Sequence, residues 1–189
     1  MPTNIAEVKF LLSSTDAYNA HRAAWQVMGS DGSGQRGFHY DFRPLPSGGQ
    51  SLITLRADKT VLPVQANEVN THYAVGQPLS FSVSAVASKT LAKTRKILPL
   101  TTGDELLAWL LRNGHANGFA PHADSMGFFT EAVLIRKPRT PAFFLNRATF
   151  DGVLSVTDST LFANTLRTGI GKHRGLGFGM MKIQPPTQA

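Results

Sequence analysis

The hydrophobic and polar positions of residues 1–88 alternate in short blocks, each about as long as one helix or strand. Ile5 to Leu12 is apolar with partial alternation, which predicts a strand. Asp16 stands immediately before Ala17 to Met28, a segment with the composition of a helix, and therefore predicts its N-cap. Three later segments predict strands: Phe38 to Leu45 and Ser51 to Ala57, joined by a Pro-Ser-Gly-Gly turn, and then Leu79 to Ala87.

The order of these elements predicts the fold class. With a weaker helical segment at Ala66 to Asn70, residues 1–88 follow the order β-α-β-β-(α)-β of a ferredoxin-like domain. Residues 89–189 repeat this theme. Their predicted elements are an apolar piece at 97–100, a helix at 104–112, strands at 127–136 and 148–156, a helix capped by Asp158 with Leu161 and Leu166 facing inward, and a strand at 176–183. We therefore expect an α+β protein with two tandem ferredoxin-like (RRM-like) domains, 1–88 and 89–189.

The composition excludes several classes of protein. Hydrophobic residues make up 42% of the 189 positions and charged residues 16%, so the chain is expected to fold. It has no cysteine, which excludes a disulfide scaffold, a cysteine-ligated zinc site, an iron–sulfur cluster and a thiol nucleophile. No apolar run approaches the roughly 20 residues that cross a bilayer, and the amino terminus shows no signal pattern. We expect a soluble, cytoplasmic protein without a membrane partner.

Positive charge is concentrated in the second half of the chain. The net charge is +7, and residues 1–88 contain six Lys or Arg and six Asp or Glu, whereas residues 89–189 contain thirteen and six. A segregated basic field is typical of a domain that binds a polyanion. Nucleic acid is the favoured partner, with an anionic membrane or simple solubility as the alternatives.

The segment from Gly169 to Ile183 (GIGKHRGLGFGMMKI) is the most specific motif in the sequence. It matches neither common nucleotide-binding fingerprint, because it lacks a Gly-Lys-Ser/Thr ending and Arg174 occupies the position that would complete GxGxxG. Dense glycines permit positive φ angles and close approach of another backbone. With Lys172 and Arg174 near its centre, the segment is interpreted as a cradle for an RNA backbone; the alternative is a flexible surface turn.

Three segments together carry a family resemblance: AYNAHRAAW (Ala17 to Trp25), FDGVLSVTD (Phe150 to Asp158), and the helix that leads into GIGKHRGLGFG. In these segments the chain resembles the CRISPR RNA-processing endoribonucleases of Cascade-type systems, the E-subtype family of the RAMP superfamily. The resemblance extends from about Val8 to Ile183. It implies two ferredoxin-like domains, a histidine on the first helix and a glycine-rich loop near the carboxyl end.

Tyr18, His21 and Trp25 recur at positions i, i+3 and i+7, and therefore lie along one stripe of the first helix. The resemblance implies that Tyr18 and His21 are active-site residues, whereas a lone helical histidine is otherwise more often structural. RNA supplies its own nucleophile, the 2′-hydroxyl beside the scissile phosphate, and an imidazole can act as base or acid near neutral pH. Tyr18 could contact the phosphate or the hydroxyl, or could simply pack.

The sequence predicts neither a metal nor a cofactor. Its twelve acidic residues form no paired-carboxylate site, and its histidines show no His-x-x-x-His spacing.

Two basic stretches are candidates for RNA binding. The first contains Lys89, Lys93, Arg95 and Lys96. Such a run is usually a solvated face, but the resemblance implies that this one contacts the repeat RNA. Gly171, Lys172 and Arg174 of the glycine-rich segment are the other predicted RNA-binding residues. Arg136, Lys137 and Arg139 form a second basic stretch, which either touches phosphates or is only solvated. Five aromatic residues lie in apolar runs and are interpreted as core: Trp109, Phe128, Phe129, Phe143 and Phe144.

The favoured function is a metal-independent endoribonuclease that cleaves CRISPR precursor RNA at the repeat hairpin to give mature guide RNA. Attack by the 2′-hydroxyl would leave a 2′,3′-cyclic phosphate. The expected partners are the repeat hairpin and other subunits of a CRISPR ribonucleoprotein complex. The alternative is a non-catalytic RNA-binding subunit of the same superfamily. A two-histidine phosphoesterase is disfavoured, because the sequences after His122 and His173 lack the required His-x-Thr/Ser pattern.

Overall fold

The computed structural model describes residues 4–29, 36–62 and 66–184. We refer to two units. The N-terminal unit contains β1 (Ile5–Leu12), α1 (Ala17–Met28), β2 (Phe38–Pro44), β3 (Ser51–Asp58) and β4 (Asn67–Glu68). The C-terminal unit contains β5 (Pro78–Ala85), β6 (Ser88–Thr90), β7 (Ile97–Pro99), α2 (Gly103–Ala116), β8 (Phe119–Pro121), β9 (Gly127–Ile135), β10 (Phe143–Val156), α3 (Ser159–Thr168) and β11 (Met181–Gln184).

Helix α1 begins and ends where the local sequence predicts. The Asp16 carboxylate accepts hydrogen bonds from the main-chain nitrogens of Tyr18 and Asn19, at 2.8 and 3.0 Å, as an N-cap should. The helix ends at Gly29, whose φ of 70° favours glycine. Four alanines form its buried face, which lets the helix lie close to the sheet: Ala17, Ala20, Ala23 and Ala24.

The N-terminal sheet has the strand order β2-β3-β1-β4, with every pair antiparallel. This is the order of a ferredoxin-like sheet. The register aligns apolar side chains in rows across the strands, and such cross-strand pairs stabilise a sheet. One row is Val8, Leu55 and Tyr40, and the next is Phe10, Ile53 and Phe42.

The C-terminal sheet repeats this arrangement in the order β11-β5-β10-β8, with β9 also paired to β10. Strand β10 pairs with β5 along one edge. Because β10 is 14 residues long, its other edge has room for both β8 and β9. Residues of α2 and α3 pack with it in one core. The ring of Trp109 stacks on Phe150 at 5.4 Å, and Leu106, Phe162 and Leu166 are buried nearby.

Several element assignments from the sequence were wrong. The segment at 79–87 forms a strand, but β5 pairs with β10 and β11 and therefore belongs to the second sheet. The predicted helix at 66–70 contains the short strand β4, which completes the first sheet. The apolar piece at 97–100 contributes to the separate β6–β7 hairpin, and the last strand begins only at Met181. We propose that the second domain begins near residue 78, in place of residue 89.

Trp109 and Phe128 lie in or against the C-terminal core, as predicted. The assignment of the other three aromatic residues to the core was wrong, because Phe129, Phe143 and Phe144 are 61%, 36% and 68% exposed. Phe129 pairs with Thr149, on the face of β10 opposite the buried Phe150. Phe143 and Phe144 precede the part of β10 that pairs with β5. Leu161, predicted to face inward, is also exposed.

Two buried arginines connect the units. Arg56 of β3 donates to the Glu7 carboxylate and to the main-chain oxygen of Leu166, the latter across the interface. Arg147 of β10 makes the reciprocal contact, donating to Glu131 and, at 3.1 Å, to the main-chain oxygen of Phe42. Each guanidinium therefore has both a carboxylate and a carbonyl partner, as a buried charge requires.

Within the described ranges, no helix is long and apolar enough to cross a membrane.

Candidate active site

His21 lies on α1 and is bound to the other unit. Its Nδ1 is 2.8 Å from the main-chain oxygen of Gly175. Because a carbonyl oxygen only accepts hydrogen bonds, Nδ1 must carry the proton. The neutral imidazole therefore has its lone pair on Nε2, and this nitrogen can take up a proton or, once protonated, give one away.

The aromatic stripe predicted on α1 is present. The rings of Tyr18 and His21 are stacked, with their centroids 5.7 Å apart and their planes at 22°. Trp25 contacts His21 edge-on at 6.3 Å and contacts Phe38 of β2 at 5.0 Å. The imidazole is thus held between two aromatic rings. Among the described residues the Tyr18 hydroxyl has no hydrogen-bond partner, so it can donate to a ligand.

The Gly175 carbonyl accepts a second hydrogen bond, from the hydroxyl of Tyr40, at 3.2 Å. Tyr40 is fully buried, and burial raises the pKa of its hydroxyl above the usual range. The hydroxyl therefore stays protonated and remains a donor. A carbonyl has two lone pairs, so His21 and Tyr40 can bind this oxygen together.

The glycine-rich segment packs against the N-terminal unit. Leu176 and Phe178 are buried in the core of that unit. A Cβ atom at Gly177 would lie 2.7 Å from the Tyr40 ring, and one at Gly179 would lie 2.0 Å from the Ile170 oxygen. The glycines do allow other groups to approach the backbone closely, as the sequence indicated. The groups that approach here belong to the protein itself, the Tyr40 ring and the Ile170 oxygen. The alternative of a flexible surface turn is wrong for residues 176–179.

The predicted RNA-binding residues of this segment have different surroundings. Gly171 has a φ of 75°, and a Cβ there would be 3.2 Å from the Trp109 ring, so packing accounts for this glycine. Lys172, His173 and Arg174 are exposed at the tip. The pKa of His173 is lowered by partial burial and then by the charges of Lys137 and Lys172. The loop after β9 thus adds a lysine to the basic tip.

The β6–β7 hairpin carries the other basic residues. Lys93, Arg95 and Lys96 are all exposed in the turn that joins its strands. Lys89, in β6, is paired with the Glu105 carboxylate at 2.6 Å. The structure therefore brings three of these four predicted residues together in one turn, and Lys89 already has an anionic partner.

A cavity of about 630 Å³ lies beside Gly175. Among the described residues that line it are four arginines, Arg36, Arg56, Arg167 and Arg174, and one carboxylate, Asp58. Arg36 donates to the main-chain oxygen of Arg174 at 3.0 Å, and Arg174 donates to that of Thr168 at 2.9 Å. This side of the glycine-rich segment is therefore also electropositive.

The described parts of the chain contain no group of three His, Asp or Glu side chains arranged to hold a metal ion. Asp16, the carboxylate at the start of α1, caps the helix through one oxygen and faces Arg136 through the other, at 3.8 Å. The absence of a metal or cofactor remains a prediction.

Sequence reasoning did not identify His39 and Tyr40, which contact the glycine-rich segment from β2. The alternation Phe38-His39-Tyr40-Asp41 predicts one apolar and one polar face. In the structure both faces are buried, because the C-terminal unit covers the second. The available signal was the adjacent pair of titratable side chains, His39 and Tyr40, and it does not reveal what covers them.

The chain is similar to known proteins. The family model described as CRISPR associated protein matches residues 3–185. The CRISPR system Cascade subunit CasE of Escherichia coli is 23% identical over 189 residues, covering 91% of this chain and 94% of that protein. The CRISPR-associated endoribonuclease Cse3 of Thermus thermophilus is 29% identical over 120 residues, covering 58% and 57%.

A solved structure of Thermus thermophilus Cse3, bound to an RNA representing a pre-cleavage complex, superposes with a TM-score of 0.77. The match covers 96% of this chain and 100% of that chain at 21% identity. It establishes a shared fold. The predicted class, α+β with two tandem ferredoxin-like units, is confirmed by this match and by the order of both sheets.

His39 predicts a dependence of stability on pH. Burial lowers its pKa to about 3, whereas the unfolded chain should titrate near the ordinary 6.5. Between these values the unfolded state binds one more proton, so stability falls as the pH is lowered from 6.5 towards 3, by up to about 1.4 kcal/mol per pH unit. Urea unfolding at pH 7, 6 and 5 should show a shallower dependence for His39→Gln than for the wild type. Equal dependences would contradict this assignment.

Proposed function

The chain belongs to the CRISPR-associated protein family, and we propose that it is an endoribonuclease that cleaves CRISPR precursor RNA at the repeat hairpin. The observation that carries the proposal is the fixed tautomer of His21, whose Nδ1–H is bound to the Gly175 carbonyl and whose Nε2 is left for proton transfer. A relative named as an endoribonuclease and another named as a Cascade subunit support the same activity.

The proposed reaction needs no added nucleophile. A base removes the proton of the 2′-hydroxyl, the 2′-oxygen forms a bond to the adjacent phosphorus, and the bond from phosphorus to the 5′-oxygen breaks. The leaving 5′-oxygen takes a proton from an acid. The products are a 2′,3′-cyclic phosphate on the upstream fragment and a free 5′-hydroxyl on the downstream one.

His21 is the proposed proton-transfer group, acting through Nε2 as the base in its neutral form or as the acid in its protonated form. Tyr18, stacked on it, is proposed to donate its hydroxyl to the phosphate or to the attacking oxygen. Lys172 and Arg174, exposed at the tip of the segment that contains Gly175, are proposed to stabilise the negative charge that develops on the phosphate.

We propose that the repeat hairpin is bound by the basic turn of the β6–β7 hairpin and by the tip of the glycine-rich segment. Both present exposed cations: Lys93, Arg95 and Lys96 in the turn, and Lys172 and Arg174 at the tip. Gly171 and Lys89 complete the proposed set, the first by shaping the segment and the second by exchanging Glu105 for a phosphate.

The proposed partners include further subunits of a CRISPR ribonucleoprotein complex, because a relative is itself named as a Cascade subunit. We propose that the protein acts in the cytoplasm, where its RNA substrate is transcribed.

The first test removes the imidazole. His21→Ala should slow single-turnover cleavage of a repeat hairpin by about 10²- to 10⁴-fold, because a general acid or base contributes roughly that much. Affinity for the hairpin should stay within a few-fold. His115→Ala, which removes an exposed histidine from α2, is the matched control and should cut normally. Wild-type cleavage by His21→Ala would reject the catalytic assignment of His21 and leave the chemistry to another residue. Absence of cleavage by the wild type itself would favour the non-catalytic RNA-binding alternative.

The second test removes the nucleophile. A hairpin with one 2′-deoxy substitution just upstream of the scissile phosphate should bind normally and remain uncut, and excess chelator should not change cleavage of the unmodified hairpin. The deoxy substrate retains every phosphate that the protein is proposed to bind. Cutting of this substrate at the normal position would disprove attack by the 2′-hydroxyl even if RNA binding were unaffected.

The third test concerns the basic turn. Replacing Lys93, Arg95 and Lys96 together with alanine should weaken binding and flatten the slope of log K against log salt, by about 0.7 to 0.9 for each phosphate that the variant no longer binds. A second triple variant, at the exposed Lys9, Arg43 and Arg112, removes the same charge elsewhere. If the two triple variants have equal slopes, the turn makes no specific phosphate contacts.

A further inference from the structure

His39 lies beside Gly169 and Phe178, at the two ends of the loop that the glycine-rich segment forms. Its Nε2 is 3.0 Å from the main-chain oxygen of Phe178, and the side chain is 2% exposed. As at His21, the partner is a carbonyl that can only accept, so Nε2 carries the proton and Nδ1 has a lone pair. Nδ1 is buried and has no hydrogen-bond partner among the described residues.

The two ends of the segment meet at the His39 ring. Ile170 donates its main-chain N–H to the Gly179 oxygen at 2.9 Å, which closes residues 170–179 into a loop. A Cβ atom at Gly169 would lie 2.1 Å from the His39 Cε1 and 2.6 Å from the Gly179 oxygen. We call Gly169, Phe178, Gly179 and His39 the neck of the loop. The absence of a side chain at Gly169 makes room for the imidazole.

The neck determines where the Gly175 carbonyl lies. Gly175 is three residues from Phe178 and is the middle residue of a short 3₁₀ segment, Arg174–Leu176, closed by a hydrogen bond from the Leu176 nitrogen to the His173 oxygen at 2.8 Å. A shift of the neck must therefore move Gly175, the acceptor of the His21 Nδ1–H. Tyr40, the neighbour of His39 on β2, binds that carbonyl directly.

We propose that His39 is a positioning residue for the cleavage reaction: it holds the neck of the glycine-rich loop so that the Gly175 carbonyl orients His21. His39 need not touch the RNA in this role. The proposal rests on the proposed function of His21, but its structural part, the link from His39 to the tautomer of His21, does not require any RNA.

The competing explanation is that the His39 side chain only fills space in the core. A pair of substitutions at His39 distinguishes a positioning role from simple core filling. His39→Leu fills much of the space but removes the donor to Phe178, whereas His39→Gln retains a donor. If His39→Leu does not fold, His39→Met takes its place, since an unbranched side chain adapts to irregular gaps. Phe119→Leu, in the C-terminal core, is the control for a loss of stability remote from the loop.

The first readout is the ¹⁵N NMR signature of the imidazole of His21, measured without RNA at a pH where the ring is neutral and assigned by its loss in His21→Ala. The wild type, His39→Gln and Phe119→Leu should show Nδ1 protonated. His39→Leu should show a mixture of the two tautomers. An unchanged signature in His39→Leu would overturn the proposal, whatever the outcome for cleavage.

The second readout is single-turnover cleavage at saturating repeat hairpin, together with the Kd for that hairpin. We expect His39→Leu to cut at least 10-fold more slowly with its Kd within threefold of the wild type, and His39→Gln to recover to within threefold of the wild-type rate. Wild-type cutting by His39→Leu, or equal slowing by Phe119→Leu at the same loss of thermal stability, would reject the role. If the wild type does not cut but the tautomer changes as expected, the proposed function fails and the structural link stands.

Discussion

The hydrogen bond between His21 and the Gly175 carbonyl is the constraint on which the site depends. It joins a helix of the N-terminal unit to a loop of the C-terminal unit, and it fixes which imidazole nitrogen is left for the proposed proton transfer. Leu176 and Phe178, which follow Gly175, insert into the core of the N-terminal unit and help to hold this carbonyl in place. The stability of the fold and the proposed catalytic geometry therefore depend on the same contacts at this interface.

The glycine-rich segment has two roles that its sequence does not separate. In residues 175–180 glycines alternate with Leu176, Phe178 and Met180, which are buried, and the missing side chains at Gly177 and Gly179 accommodate Tyr40 and Ile170. The three residues before this stretch are exposed and two of them are cationic. Residues 176–180 are thus packed inside the protein, and residues 172–174 face the solvent.

Local signals in the sequence predicted most of the helices and strands, but not which strands pair with one another. Helix α1 and its stripe could be read from the sequence because Asp16, the alanine spacing and Gly29 all act within a few residues. The segment at 79–87 was recognised as a strand, but alternation does not specify which sheet a strand joins. The burial of His39 could not be predicted, because it comes from a loop 130 or more residues away. The same holds for Phe129, which is apolar but lies on an uncovered face.

The partners His21 and Gly175 are separated by 154 positions in the chain. A ribosome makes the helix that carries His21 before the loop that orients it. Until that loop has been added, the nascent chain contains the histidine without its acceptor, and the N-terminal core also lacks Leu176 and Phe178. The imidazole can acquire its fixed tautomer only after Gly175 has emerged and the loop has packed, so the proposed cleavage activity cannot precede the docking of this loop.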